Sequence, residues 1–190
     1  LLQKTTYMMI LGIVGGILLL LIVFLISIFN ELTKERVLVQ EAWSGIGAFL
    51  QQRLDAIPNL VEIVKGYAGH ENKTLTDVIR ARNESIAALT PEAQIEAAKN
   101  MSAAMLNFKA LAENYPDLKA NQNFIKLQEQ LTELEEKINQ SRRYYNGTVR
   151  EYNQSIAVFP KNIVAGMFGF NASAFFAEDT DAAKAPKISF

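Results

Sequence analysis

Residues 7–29, YMMILGIVGGILLLLIVFLISIF, form an apolar stretch without a charged residue between Lys4 and Glu31. As an α-helix this stretch would extend roughly 34 Å, which is enough to cross a hydrocarbon core of about 30 Å. A cleaved signal sequence is the alternative, but its apolar part usually runs only about 7–15 residues and ends at a small-residue site. The residues from Ser27 to Asn30 are no such site. We therefore predict a retained transmembrane helix over residues 7–29, anchored in membrane lipid.

The anchor contains one motif that bears on partners. Gly12 and Gly16 form a G-x-x-x-G pair, which allows two membrane helices to approach closely. Because glycine is common in membrane helices, a lipid-facing anchor that begins at Tyr7 and ends at Phe29 is the simpler interpretation.

The charges that flank the anchor predict its orientation. Lys4 precedes the span, within a short segment of residues 1–6, whereas Lys34 and Arg36 follow it. The positive-inside rule then favours, by a small margin, a cytoplasmic domain after the anchor. Leu1 is an unusual first residue, because initiator methionine is seldom removed ahead of leucine, and the charges of any residues upstream of it could reverse this orientation.

The composition argues against several kinds of site. The net charge is −1, with basic and acidic residues intermixed, and nucleic-acid binding requires a basic surface. The sequence has no cysteine and one histidine, His70, and Thr74 stands where an H-E-x-x-H zinc motif needs its second histidine. Phosphate-binding, dinucleotide-binding and nucleophile-elbow motifs are missing from the sequence. We predict no enzymatic activity, no metal or other cofactor, and no small-molecule substrate.

Helical spacing begins directly after the anchor. Between residues 31 and 57 the apolar positions recur at steps of three and four residues or their sums, at Val39, Trp43, Ile46, Leu50 and Ile57. Pro58 then either kinks one long helix or starts a new one. Thr74 resembles a helix N-cap, with Asp77 three residues on. Whether residues 59–89 form one helix or two stays open.

Two further helices follow. Thr90 and Pro91 are typical of a helix start, and Tyr115 with Pro116 predicts its end. Residues 121–158 are expected to form the longest helix, packed in the manner of a coiled coil. Its apolar positions are Phe124, Leu127, Leu131, Leu134, Ile138, Tyr145, Val149, Tyr152 and Ile156, and its solvated face carries Glu129, Glu133, Glu135, Glu136 and Lys137.

The predicted fold class is all-α: the transmembrane helix is followed by an antiparallel bundle of three to four long helices over residues 31–158. Residues 159–176 form an apolar C-terminal segment, whose part 161–176, KNIVAGMFGFNASAFF, is too short to span a bilayer as a helix. Such a segment would leave a sizeable apolar patch on a monomer, so we predict self-association through it and the bundle. Residues 177–190 are expected to form a loosely ordered tail.

An ordered series of motifs covers nearly the whole chain after the anchor. The motifs are Glu41-Ala42-Trp43-Ser44, QRLDAIPNLVE over residues 52–62, Val64-Lys65-Gly66-Tyr67, His70-Glu71, NYPDLKA over residues 114–120, Arg142-Arg143-Tyr144-Tyr145-Asn146, Tyr152-Asn153, Phe159-Pro160 and Phe168-Gly169-Phe170. This series resembles the LemA family of bacterial membrane proteins. The resemblance implies a bacterial source, a short N-terminal segment, one membrane span and an antiparallel helical bundle, and it implies no reaction, because the family has no established activity.

Two stretches within these motifs supply the candidate interaction residues. The first, over residues 53–65, holds the polar residues Arg53, Asp55, Asn59, Glu62 and Lys65 around Pro58. A helix that passes a proline leaves a backbone carbonyl without its donor, and Asn59 or Arg53 could supply that donor. The second, with Arg142, Arg143 and Tyr144, could bind an anion or an acidic partner. The simpler interpretation is that these arginines lie along the helix and pair with its acids.

Three classes of function are compatible with this sequence. The favoured hypothesis is a membrane-anchored scaffold or interaction protein of the bacterial envelope, with other envelope membrane proteins or copies of itself as partners. The second is a membrane-surface sensor or remodeller that uses the apolar segment 161–176. The third is an enzyme with an unrecognised polar site, which lacks a visible nucleophile, base or metal ligand set.

Overall fold

The computed structural model describes residues 2–68 and 73–176. These residues form six α-helices and no strand: α1 (Leu2–Ala68), α2 (Lys73–Ala87), α3 (Pro91–Ala112), α4 (Pro116–Lys119), α5 (Gln122–Ala157) and α6 (Lys161–Phe168). The all-α prediction is confirmed for the described residues. The number of helices in a bundle and their antiparallel direction stay predictions. His70 and the tail of residues 177–190 lie outside the described residues.

Helix α1 is the longest helix of the described chain. The prediction that residues 121–158 form the longest helix is therefore wrong. α1 has 67 residues, whereas α5 has 36. Between the apolar stretch and Pro58 the chain has no proline, and extending an existing helix orders one residue for each hydrogen bond gained, whereas starting a new helix orders three residues for the first bond. α1 is long and apolar enough to cross a membrane, and its most apolar part is not buried within the chain.

Local signals explain where the later helices begin. The N-cap of α3 is Thr90, whose side chain accepts a hydrogen bond from the backbone N–H of Ala93, as the sequence predicted. The side chain of Asn121 caps α5 in the same way, because its Oδ1 accepts from the backbone N–H groups of Asn123 and Phe124. The expectation for Thr74 is wrong, since α2 already begins at Lys73 and Thr74 lies within the helix.

The described residues divide into two compact units. The first unit comprises the chain up to Glu41 together with Gly147–Ser173. The second unit comprises Ala42–Asn146 together with the described residues that follow Ser173. Both α1 and α5 contribute residues to each unit.

The second unit has a core to which five helices contribute. Its innermost side chains include Ile57 and Val64 of α1, Val78 of α2, Met101 of α3 and Leu118 of α4, all of which are inaccessible to solvent. From α5, the core includes Phe124 and Leu131. Burial of this apolar surface is the main favourable contribution to the stability of the unit.

In the first unit, α6 returns to the end of the anchor. Phe29 contacts the rings of Phe168 and Phe170, with centroid distances of 5.0 and 5.6 Å. α6 is capped at its C-terminus by Gly169, whose φ of 70° is left-handed and favours glycine, and the N–H of Phe170 then donates to the carbonyl of Ala165.

Candidate functional site

Arg53 is a buried charged side chain in the second unit, with 1% of its surface exposed. Its Nη1 donates to Glu135 Oε1 at 2.7 Å and to Ser102 Oγ at 3.1 Å. Its Nη2 donates to the backbone carbonyl of Ala98 at 3.3 Å. Arg53 of α1 is therefore held by α3 and α5, because a guanidinium removed from water must find its acceptors inside the protein.

The contact with Arg53 corrects the place assigned to Glu135. Sequence spacing placed Glu135 on the solvated face of α5, but its side chain is 35% exposed and forms the ion pair with Arg53. Glu136, the next residue, is exposed as expected. Successive residues of a helix point about 100° apart, so two neighbouring acids serve different roles.

Pro58 lies inside α1 and does not start a new helix. Proline has no N–H, so the carbonyl of Leu54, four residues earlier, loses its helical donor. The structure supplies another: Arg82 Nε of α2 donates to that carbonyl at 3.0 Å. We expected Asn59 or Arg53 in this role, and that expectation is wrong, because Asn59 is exposed and Arg53 donates to Ser102, Glu135 and Ala98.

The other residues of the proline motif lie on the surface of α1. Asp55 is exposed and accepts a hydrogen bond from Gln51 Nε2 at 2.8 Å. Glu62 and Lys65 are exposed and, with Pro58, line a shallow hollow of about 380 Å³ beside α2. Thus the other four polar residues predicted around the proline, Asp55, Asn59, Glu62 and Lys65, are exposed and do not form one cluster with the buried Arg53.

The second motif divides between the interior and the surface. Arg143 and Tyr144 are exposed, whereas the guanidinium of Arg142 lies 4.5 Å from the centroid of the Phe176 ring. Asn146 is buried and binds the backbone of Phe176 twice, donating to its carbonyl at 2.9 Å and accepting from its N–H at 2.8 Å. An amide side chain can form such a pair because it carries both a donor and an acceptor.

Tyr145 of the same motif also binds the chain that follows Ser173. Its hydroxyl donates to the carbonyl of Ala174 at 2.8 Å, and its ring packs 5.3 Å from that of Trp43. Burial raises the pKa of Tyr145 above its ordinary value, and the negative charge of Glu92 acts in the same direction.

In the first unit, a second asparagine side chain forms the same pair of hydrogen bonds with the C-terminal segment. The side chain of Asn153 donates to the carbonyl of Ser173 and accepts from its N–H, both at 2.9 Å. Arg36 lies over the Phe170 ring at 4.9 Å, as Arg142 does over Phe176 in the second unit. Each unit therefore binds part of the C-terminal segment through one asparagine amide and one arginine–aromatic contact.

A groove of about 340 Å³ opens on the second unit between α3 and α5. Its base is apolar, and one of its leucines, Leu106, is 70% exposed. Lys109 and Arg142 bring positive charge to its lining, whereas Glu135 also pairs with Arg53. Its full lining is Leu60, Ser102, Met105, Leu106, Phe108, Lys109, Phe124, Gln128, Leu131, Thr132, Glu135, Asn139 and Arg142.

Comparison with known families identifies the chain. The model of the LemA family matches residues 42–190, which is well over half of the sequence. The chain belongs to the LemA family. No curated protein matches the chain. Membership agrees with a helical, membrane-associated protein, and the family carries no assigned reaction.

In this LemA-family chain most of the predicted interaction residues are exposed, whereas several motif residues make internal contacts, among them Arg53, Tyr145, Asn146 and Asn153. The sequence did not identify Ser102, Glu135 or Arg82 as site residues. Ser102 and Glu135 accept hydrogen bonds from Arg53, and Arg82 supplies the donor that Pro58 lacks. One signal for Arg53 was present: it continues the spacing of Ile46, Leu50 and Ile57, so it occupies an apolar face where a charge needs a partner. Asn146 and Asn153 belong to the motifs, but their side chains form hydrogen bonds with the backbone of Phe176 and Ser173. A backbone partner can be any residue type, so the sequence does not reveal it.

The predicted anchor residues have little contact with the rest of the described chain. Tyr7 is exposed, and a Cβ atom added at Gly12 or Gly16 would meet no atom within 4 Å. Phe29 is half-buried through its contacts with the C-terminal aromatic rings. Among residues 2–68 and 73–176, no group of three acidic, histidine or cysteine side chains is arranged to hold a metal ion.

Proposed function

We propose that the chain is a membrane-anchored interaction protein of the bacterial envelope that binds an amphipathic helix of another envelope membrane protein. The observation that carries this proposal is the groove between α3 and α5. Its apolar base with an exposed leucine matches the way in which a helix-binding groove receives apolar side chains.

The shape and charge of the groove support this class of partner. Its lining residues on α5 run from Phe124 to Arg142, which corresponds to roughly 27 Å along a helix. Lys109 lines it with an exposed positive charge, whereas Arg142 lies over the Phe176 ring and the negative charge of Glu135 is balanced by Arg53. We therefore expect a helix whose apolar face carries acidic residues at its margin, since charge complementarity favours specificity.

The same proposal includes the arrangement in the cell. We propose that the anchor lies in the cell membrane. The positive charges after it support a cytoplasmic position for the helical domain. The shared core of α1, α2, α3 and α5 supports a helical bundle within the second unit, and the short connection from Ala87 of α2 to Pro91 of α3 supports an antiparallel direction for that pair. We infer no catalytic activity, since Arg53 is buried while Asp55, Asn59 and Arg143 face solvent.

Self-association through residues 161–176 stays a proposal. It is supported by Ile163, Met167 and Phe168, which remain exposed, although Val164 and Phe170 of the same segment are buried. A bilayer competes for the same exposed residues, and spin-label accessibility at positions 163 and 167 separates a second copy from lipid.

Site-specific photocrosslinking tests the groove. A photoreactive phenylalanine analogue replaces Leu106 in the full chain, and native membranes are irradiated. The control places the same residue at Leu89, which is also an exposed leucine but does not line the groove. We expect a discrete crosslinked product from position 106 and none from position 89.

A second variant tests whether the groove itself is needed. Thr132→Trp adds a large side chain at an exposed position of the lining and should therefore spare the core. The crosslink from position 106 should then be lost. Equal products from positions 106 and 89, or a product that survives Thr132→Trp, would contradict the proposed partner site.

A further inference from the structure

The short helix α6 lies against the end of the anchor helix. Phe168 near the end of α6 contacts Phe29, the last residue of the apolar stretch, at 5.0 Å. At the other end of α6, Lys161 Nζ forms an ion pair with Glu31 Oε1 at 2.9 Å. All these residues belong to the first unit, so the position of α6 beside the anchor is defined by direct contacts.

The outer face of α6 is apolar. Val164 and Ala165 are buried, whereas Ile163, Met167 and Phe168 are 52%, 68% and 55% exposed. Phe159, just before α6, is 79% exposed. The other exposed residues of α6 are Asn162 and Gly166, so no charged side chain lies on this face. A helix that faced water would carry charged or polar residues there.

We propose that α6 is an interfacial helix that inserts the side chains of Ile163, Met167 and Phe168 into the bilayer beside the anchor. The inference rests on the membrane anchor of the proposed function. The anchor extends roughly 34 Å against a hydrocarbon thickness of about 30 Å, so its last residue, Phe29, reaches the boundary between acyl chains and headgroups. A helix that contacts Phe29 lies at this boundary, where interfacial helices bury an apolar face between the headgroups and the acyl chains.

Lipid is the occupant that the contacts favour. The exposed face of α6 belongs to the same unit as the exposed apolar surface of the anchor, which includes Phe24 and Ile26. The bilayer that covers the anchor therefore meets α6 without a further partner. The one cationic side chain of α6, Lys161, pairs with Glu31, and Arg36 lies over the Phe170 ring. Lys34 is exposed but belongs to α1, so α6 itself presents no unengaged cation. Insertion should accordingly depend on apolar burial and little on anionic lipid.

Spin-label accessibility tests this proposal on the full chain. The sequence has no cysteine, so a single introduced cysteine carries the nitroxide without a background signal. The positions are Ile163→Cys and Met167→Cys in α6, Leu18→Cys in the anchor as the lipid reference, and Leu89→Cys in the second unit as the water reference. The protein is reconstituted in vesicles of phosphatidylcholine alone and of phosphatidylcholine with phosphatidylglycerol.

Collision with oxygen, which concentrates in lipid, is compared with collision with a water-soluble nickel complex. We expect positions 163 and 167 to favour oxygen, at a shallower depth than position 18, in both vesicle compositions. Position 89 should favour the nickel complex. Circular dichroism of each labelled variant checks that the helices are retained.

Three outcomes would overturn the proposal. Positions 163 and 167 that collide with nickel as freely as position 89 would place α6 in water. In a second outcome, positions 163 and 167 are shielded from both reagents, and their spectra show spin–spin broadening that disappears on dilution with unlabelled protein. That result would assign the face to a second copy. Insertion only in vesicles with phosphatidylglycerol would show that charge, and not the apolar face, drives it. If position 18 also failed to favour oxygen, the anchor of the proposed function would fail with it.

Discussion

At the scale of single residues, Arg53 and Glu135 show how an ion pair can specify packing. Moving a guanidinium out of water costs several kcal/mol, and its partners repay this cost only when the geometry is good. Arg53 reaches three acceptors on two neighbouring helices, at 2.7, 3.1 and 3.3 Å. The pair therefore favours one alignment of α1 against α3 and α5, although its net contribution to stability is small.

Glu135→Gln should destabilise the protein by about 1–3 kcal/mol, because Arg53 would stay buried without its counter-charge. The effect stays below the full cost of an unpaired buried charge, since Glu135 is 35% exposed and water can approach the site. The matched control is Glu136→Gln at the exposed neighbouring position, which should change stability by less than about 0.5 kcal/mol. Urea denaturation in mild detergent, followed by circular dichroism, measures both, and equal losses would contradict this role for Glu135.

At the scale of elements, α1 depends on a contact with α2 where it passes Pro58. A proline inside a helix costs about 3 kcal/mol or more, partly through the lost hydrogen bond. The bond from Arg82 to the Leu54 carbonyl offsets part of this cost and also ties α2 to α1. The continuity of the long helix is thus a tertiary property and not only a property of its own sequence.

A double-mutant cycle tests this substitution of donors. Arg82→Met should cost about 1–2 kcal/mol in the natural chain, because the Leu54 carbonyl would lose its donor. In a Pro58→Ala background, the alanine N–H restores the helical bond, so Arg82→Met should cost less by at least about 0.5 kcal/mol. Arg80→Met is the control, since Arg80 lies on the same helix but pairs with Asp77 and should show no coupling to Pro58. Additive effects of Pro58→Ala and Arg82→Met would mean that Arg82 does not replace the lost donor.

The two hydrogen bonds between the Asn146 side chain of α5 and the Phe176 backbone predict a local effect on stability and on amide exchange. Asn146→Ala removes both hydrogen bonds to the Phe176 backbone and leaves buried polar groups unpaired, so it should cost about 1–3 kcal/mol. Hydrogen exchange of the Phe176 amide should accelerate, because its N–H loses its acceptor. Asn100→Ala, at an exposed site in α3, is the control and should change neither quantity. Unaltered exchange at Phe176 in Asn146→Ala would contradict the role of this amide.

Sequence reasoning reached the elements whose signals are local. The stripe from Phe124 to Ile156 defined α5 to within a residue at each end, and Thr90 with Pro91 marked the start of α3. The site residues depend on non-local contacts: Arg53 and Glu135 are 82 positions apart, and periodicity alone cannot bring them together. The same limit applies to Arg82, which contacts the carbonyl of Leu54 from another helix.

At the scale of the whole molecule, each unit contains a buried tyrosine on α5. Tyr145 belongs to the second unit and Tyr152 to the first, and 4% and 1% of their surfaces are exposed. Burial raises the pKa of Tyr152 above its ordinary value; Arg36 counteracts this effect, and Glu35 adds to it. Burial also raises the pKa of Tyr145, with the support of Glu92. Alkaline pH should therefore weaken both units of this LemA-family protein.

The sign follows from proton binding. Above pH 10.0, the ordinary value for tyrosine, the unfolded chain loses these protons while the folded chain retains them. The stabilising contribution is thus fully present below that pH and is lost as the pH rises through the raised pKa values. The free energy of unfolding, measured by urea titration in detergent from pH 7 to 11, should fall more steeply above pH 10 in the natural chain than in Tyr145→Phe/Tyr152→Phe. Tyr144→Phe, at a neighbouring exposed position, should retain the natural slope. An unchanged slope in the double variant would mean that these two hydroxyls do not cause the alkaline loss.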